Sequence, residues 1–526
     1  MTTIPFVNFM FLALFSIAIT PLNFSLCKGE YSKVTCNVNE KQALLKFKKG
    51  LFDPTNWLSS WSESNQLDCC SWVGVRCNNN AGRVMELSLG NTFHSQLEDF
   101  GIEDEEYPDH NLGGEISSSL LGLQFLTHLN LSSNYFICTQ IPSFLGPLRS
   151  LTHLDLNDAG FSGLIPHQLG NLSNLHYLGL GDNSGLEANN LHWTSNLLSL
   201  EYLKLSDVYA HNYKHRSWPQ VLGVLPSSIT ELHLSGCGLH SIMVPPQGYA
   251  SIINFTSLRV LDISSNDFNE VSNWPQVFST LPSTITELHL RGCGLHSTMV
   301  PPQGYATIAN LTSLPVLDIS YNDLNDELKR VLSNFSTSLE ILDLNLNYLQ
   351  GEIQHTPLNF QNLRELHLDD NRLIGQIPEL IGRLKNLEYL TLDYNSLTGS
   401  VLTSLGNLSS LRVLGLGENK LHGTIPKSLG LLSNLFSLNL GYNSFEGPID
   451  EAHFSKLSKL EMIALSSTNL FLNVSPSWDP PFQLSYFRMY SCKMGPYFPV
   501  WLQNQKSLKQ LCISNSRISD IVPSWF

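Results

Sequence analysis

The chain has 526 residues, and 14% of them are charged, against roughly 25% in an average soluble protein. Its 45 Asp and Glu against 30 Lys and Arg leave a formal charge of −15, which excludes a large nucleic-acid footprint and disfavours docking on an anionic membrane, since both need a basic face. At about 150 residues per domain the length predicts three or four globular domains, and ten cysteines in a chain this long do not make a disulfide-dense miniprotein.

Met1 to Cys27 carries no charged side chain, and Phe6 to Thr20 (FVNFMFLALFSIAIT) has the length of a signal-peptide apolar core. It falls short of the roughly 20 apolar residues of a membrane span. Residues 1–27 therefore read as a secretory signal, and export makes disulfides permissible downstream. The next segment, 28–83, holds Cys36, the adjacent pair Cys69 and Cys70, and Cys77. Ala43, Leu44, Leu45, Phe47 and Leu51 recur at helical spacing, with Asp53-Pro54 as a stop signal. These features predict a short amphipathic helix stapled at both ends. Four cysteines allow three pairings, and the residues leave that choice open. Zinc competes as an explanation, but adjacent cysteines are wrongly spaced for two ligands of one tetrahedral ion.

From Val84 to the end a pattern LxxLxLxxN recurs, as in LTHLNLSSN ending at Asn134 and LRELHLDDN ending at Asn371. The last four intervals, to Asn443, are 24 residues each, within the window of leucine-rich repeats. With degenerate units whose asparagine position holds Ala159, Val208, Cys237, Cys293, Thr468, Cys492 or Ser516, sixteen regular repeats follow an irregular first one near Leu87. Each LxL predicts one short parallel strand whose leucines stack on the next coil, so that the many expected domains collapse into one solenoid. The asparagine is expected at the turn, where its amide satisfies buried backbone groups. Cysteines at that position read as buried structural thiols. Two irregularities interrupt the array. The loop 92–110 places seven carboxylates between Glu98 and Asp109, read as a solvated acidic insert because the D-x-D-x-D-G order of a calcium loop is absent. A 33-residue segment from Trp218 returns nearly unchanged from Trp274, an offset of 56 residues.

Several units continue as LxGxIPxxLGxLxx, for example LIGQIPELIGRLKN from Leu373. With ALLKFKKGLFDPTNWLSSW at Ala43, DCCSWVGVRCNN at Asp68, GGEISSSLLGLQFLTHLNLSSN at Gly113 and SCKMGPYFPVWLQNQKSL at Ser491, the chain from Cys36 onward resembles the ectodomain of plant leucine-rich-repeat receptor-like proteins. Within that family it is most similar to the group of fungal xylanase-elicitor receptors. The resemblance implies an α/β horseshoe or superhelix, cap disulfides Cys36–Cys69 and Cys70–Cys77, no cofactor, and signalling through a partner leucine-rich-repeat receptor kinase. It also implies an extracellular place at the cell membrane, with a single span in full-length relatives. This sequence runs to Phe526 in mid-repeat without the island, C-terminal cap or span of the family, and the expectation is a fragment or truncated gene product.

In LxxLxLxxN the x positions are expected on the concave sheet. The two before the asparagine hold Asp158, Asp182 and Asp207 early, and Tyr321, Asp369, Asp370, Asp393, Tyr394, Glu418 and Tyr442 later, while His233, His289 and His367 lie between leucines. The later set, with His367, is the predicted contact patch for a protein or peptide ligand, with aromatics for area and carboxylates for a basic or hydroxyl-bearing partner. Sequons at Asn130, Asn171, Asn254, Asn310, Asn334, Asn407 and Asn473 agree with export. No H-E-x-x-H, G-x-S-x-G, P-loop or kinase set is present, so no enzyme is expected and neither a metal nor a catalytic site is assigned. The expected function is recognition of a microbial elicitor or cell-wall-derived ligand in plant defence. The alternative is a secreted inhibitor of a microbial cell-wall-degrading enzyme, similar to polygalacturonase inhibitors.

Overall fold

The computed structural model describes residues 35–63, 68–91, 111–137, 139–183, 185–208, 224–239, 255–269, 281–296, 314–332, 335, 337–355, 358 and 360–526. The apolar leader, the acidic insert, Cys27, Cys138 and the sequons at Asn254, Asn310 and Asn334 lie outside the described residues.

The cap begins with the helix Val38–Gly50, whose N-cap Asn37 accepts from the N–H groups of Asn39 and Glu40. Its apolar stripe buries Ala43, Leu44, Leu45 and Phe47. Cys36 is bonded to Cys69 and Cys70 to Cys77, with Cα separations of 5.6 and 5.4 Å. The four sulfurs are close enough to share a metal, but as two disulfides they offer no thiolate. Glu40, fully buried, reaches from the helix to the first repeat strand. It pairs with Arg83 at 3.1 Å and accepts from the Val84 N–H at 2.8 Å. Strand Val75–Cys77 then pairs antiparallel with Val84–Ser88 and opens the repeat sheet.

Seventeen parallel strands follow among the described residues, from Val84–Ser88 to Gln510–Cys512, each paired with its neighbours in sequence order. Leucine stands opposite leucine, as at Leu366↔Leu390 and Leu390↔Leu414. The two leucines of each LxL, such as Leu366 with Leu368 and Leu390 with Leu392, are fully buried, each contributing about 1.5–3 kcal/mol. Leu511 and Ile513 of the final strand are half-buried, against 2% and 0% exposure for Phe487 and Met489 one coil earlier.

The asparagines close the turns. Asn371 Nδ2 donates to the carbonyls of Leu344, Leu368 and Asp369 at 3.0–3.2 Å, and its Oδ1 accepts from Leu349 at 2.9 Å. Where cysteine replaces asparagine, the thiol takes over the bond to the preceding coil. Cys237 donates to Leu205 at 3.1 Å, Cys293 to Ile263 at 3.3 Å and Cys492 to Leu465 at 3.1 Å. Burial pushes the thiols of Cys237 and Cys293 up to about 12, which leaves them unreactive.

Beyond the asparagine, the LxGxIP extension forms second, shorter parallel sheets, such as Gln350–Glu352 with Arg372–Gln376 and Ser396–Thr398. Gly375 sits there at φ +83°, which a side-chain-bearing residue adopts only with strain. The proline then caps a single 3₁₀ turn, as Pro378 does for Glu379–Arg383. A 24-residue coil leaves the outer side room for such turns; the longer helix Val38–Gly50 belongs to the cap.

Candidate functional site

Each repeat presents its sheet face through the first and third strand residues. In Glu365–His367 these are Glu365 and His367, both half-buried, while Leu366 points into the core. The two positions before the asparagine, which spacing puts on the concave face, differ in backbone conformation. The strand ends at His367, so Asp369 continues the face, but the next position turns away in the left-handed conformation: Asp370 at φ 51°, Tyr394 at 52°, Glu418 at 52°, Tyr442 at 53° and Tyr321 at 54°. The turn is needed to bring the asparagine under the sheet. Its cost of roughly 1–2 kcal/mol per residue is offset by bonds between coils, since the N–H groups of Asp370, Tyr394 and Glu418 each donate to the next coil at 3.0 Å and that of Tyr442 at 2.8 Å. These residues form a rim beside the sheet, with Tyr321, Tyr394 and Tyr442 exposed and Asp370 and Glu418 half-buried.

On the sheet itself, two of the predicted residues, His367 and Asp369, are joined through Thr391. His367 Nδ1 lies 3.0 Å from the Thr391 hydroxyl, which donates to Asp369. Burial alone would lower the His367 pKa, but Glu365, Asp343 and Asp369 outweigh it and raise it. Asp393 accepts from the Gly417 N–H at 2.7 Å and from Asn439 Nδ2 at 2.8 Å. A Cβ at Gly415 would collide with this carboxylate, so the glycines of the next repeat make its seat. Burial pushes the Asp393 carboxyl up to about 7 against the pull of the Gly417 bond, and Asp369 adds to the rise. Asp343, half-buried beside Asp318, is pushed up to about 6 by desolvation and by the Asp318 charge. The column extends back through His289 and Asp318 at 3.9 Å and His233 and Asp262 at 3.8 Å. Tyr442 shares a hydroxyl hydrogen bond with Tyr490, a residue the sequence reading did not select. Tyr321 stands apart from the rest of the patch, under the Arg291 guanidinium at 5.6 Å.

A second feature escaped the sequence reading. In the first strand position His128, His153, Tyr177 and Tyr202 stack face to face, with ring centroids 3.9, 4.0 and 4.1 Å apart and planes within 13°. The signal was available in THL, THL, HYL and EYL of successive repeats. Burial drives the His153 pKa down to about 4 and lowers that of His128, and it raises both tyrosines. Among the sequons, Asn171, Asn407 and Asn473 are exposed, whereas Asn130 lies half-buried on the concave strand His128–Asn130 with its Oδ1 accepting from the N–H and hydroxyl of Ser132.

Residues 34–78 match the leucine rich repeat N-terminal domain, 338–521 a leucine-rich repeat region, and 125–148 and 150–172 single leucine rich repeats. The chain is 40% identical to the receptor-like protein EIX1 and 37% identical to the receptor-like protein EIX2 of Solanum lycopersicum, each alignment covering 98% of this chain and 53% of the relative. It therefore spans about half the length of these curated relatives. Among solved structures, the ectodomain of the Arabidopsis receptor kinase HAESA, in complex with an N-terminally extended IDA peptide hormone, shares the fold with a TM-score of 0.57 at 23% identity, covering 90% of this chain and 81% of that one. By its cap and its repeat the chain is a leucine-rich-repeat protein, and over 98% of its own length it is similar to plant receptor-like proteins.

Proposed function

We propose that this chain is the ligand-recognition part of a cell-surface receptor-like protein on the extracellular side of the plant membrane. It binds a microbial protein or peptide elicitor on its concave face and acts through a partner leucine-rich-repeat receptor kinase. The observation that carries this reading is the 40% identity with a tomato receptor-like protein over 98% of the chain. The sheet residues His367, Asp369 and Asp393, with the rim of Asp370, Tyr394, Glu418 and Tyr442, supply the contact surface. The exposed rim tyrosines and the rim carboxylates Asp370 and Glu418 suit a ligand bearing basic side chains.

The test uses the secreted chain on a sensor surface with a panel of fungal xylanases and other secreted wall-degrading enzymes as analytes. Saturable binding is expected, weakened at least about tenfold, or 1.4 kcal/mol, by the pair Asp370→Lys and Glu418→Lys. Binding that survives this charge reversal refutes the contact patch, and failure of the whole panel refutes the microbial-protein ligand.

A further inference from the structure

We propose that the stacked column His128, His153, Tyr177 and Tyr202, with Asp155 and Asn157 beside it, is a second binding site on the concave face and takes an uncharged oligosaccharide. It is separate from the contact patch. Five strands lie between Tyr202–Lys204 and Glu365–His367, a distance of roughly 29 Å at the usual strand spacing.

Charge is the first argument. Burial lowers the pKa of both imidazoles, that of His153 to about 4, so His153 is uncharged at mildly acid and neutral pH and burial favours the neutral form of His128 as well. The cations beside the column are already paired: Lys204 with Asp182 at 2.6 Å and Arg76 with Glu86 at 3.3 Å. Asp155 accepts from the N–H and the side-chain amide of Asn157 at 3.1 and 2.7 Å, and its other oxygen is an acceptor for a hydroxyl. An anionic ligand would have to break a pair to gain one, whereas a ligand rich in hydroxyls meets donors and acceptors without that cost.

Shape is the second argument. Because the rings cover one another's faces, the parts left half-exposed are their edges, carrying phenol O–H and imidazole nitrogen. Each ring is held between its neighbours, so binding freezes little rotamer freedom. Beside the column, Gly179 and Gly181 leave room for the side chains of Asn157 and Lys204 to lie across the strand, which makes the floor flat. An extended peptide would need either free strand edges or side-chain pockets. The strands here are paired on both sides, Leu154 with Leu129 and Leu178, and Leu178 with Leu203, and the side chains of Asn157 and Lys204 fill the space over Gly179 and Gly181.

The test is calorimetric titration of the whole secreted chain with cellohexaose, xylohexaose and chitohexaose, and with an uncharged Gly/Ser/Asn peptide of similar length. The expected result is saturable binding of at least one saccharide with Kd of about 1 mM or tighter. The double variant Tyr177→Phe and Tyr202→Phe keeps the rings and removes both hydroxyls, and should weaken binding about tenfold, two lost hydrogen bonds of roughly 0.5–1.5 kcal/mol each. The variant Asp370→Lys with Glu418→Lys, in the other site, should leave saccharide binding unchanged. No saturable saccharide binding, full binding by the double Phe variant, or tighter binding of the peptide would each overturn the proposal.

Discussion

Replacing Asn183 by alanine tests the account of what holds the coils together. Its side chain is fully buried and makes five hydrogen bonds: Nδ2 donates to Leu156, Leu180 and Gly181 at 2.8, 2.9 and 3.0 Å, and Oδ1 accepts from the N–H groups of Ala159 and Phe161, both at 3.0 Å. The two Nδ2 protons are shared among three carbonyls, so at a net value of about 1 kcal/mol per bond the loss is about 4 kcal/mol. The two N–H groups left buried without an acceptor, at roughly 1–3 kcal/mol each, give a similar figure of about 2–6 kcal/mol. Solenoid stability is a sum over neighbouring coils, so the loss should be local. Hydrogen exchange should rise in peptides spanning 154–187 while the coils beyond Leu363 keep their protection, and the urea midpoint of the first transition should fall. Asn183→Cys should be intermediate, because at Cys237 the thiol still donates to the preceding coil at 3.1 Å. A loss of under about 1 kcal/mol in Asn183→Ala, or deprotection spread evenly along the chain, would refute the reasoning.

The raised carboxyls make a pH prediction. Asp343 at about 6 and Asp393 at about 7 lie above the ordinary value near 3.9, so the folded chain holds these protons more tightly. The stability they contribute is complete below about pH 3.9 and is lost as pH rises through 6 and 7. Asp343→Asn with Asp393→Asn keeps an acceptor at each place and should flatten the urea midpoint across that window; an unchanged slope would falsify the assignment. Gly406→Ala would drive a Cβ into the Ser428 carbonyl of the next coil, and about 1–3 kcal/mol of destabilisation in urea unfolding is expected. If the chain unfolds like wild type, the coils are not as closely packed there as described. Mass spectrometry of the secreted chain should find glycan on the exposed Asn171, Asn407 and Asn473 and none on Asn130, whose place beside His128 is on the concave strand. A glycan at Asn130 would also cover the aromatic column and count against that site.

The solenoid was legible in the sequence because its core is one-dimensional. Every coil buries the same leucines against the next, so a 24-residue period carries the strand, the turn and the outer 3₁₀ segment together. For the same reason the position of His367 and Asp369 on one face followed from spacing alone. What spacing did not convey was the conformation of the rim. Asp370, Tyr394, Glu418 and Tyr442 read as columns on the concave face, and each sits in the left-handed turn that seats the asparagine. Tertiary structure also decided which side chains became neighbours. His153 and Tyr177 are one repeat apart in sequence and touch because parallel register sets them side by side at 4.0 Å. Asp393 shows the same dependence. Its burial, and hence its proton affinity, comes from glycines in the following coil, whose missing side chains leave the space it fills.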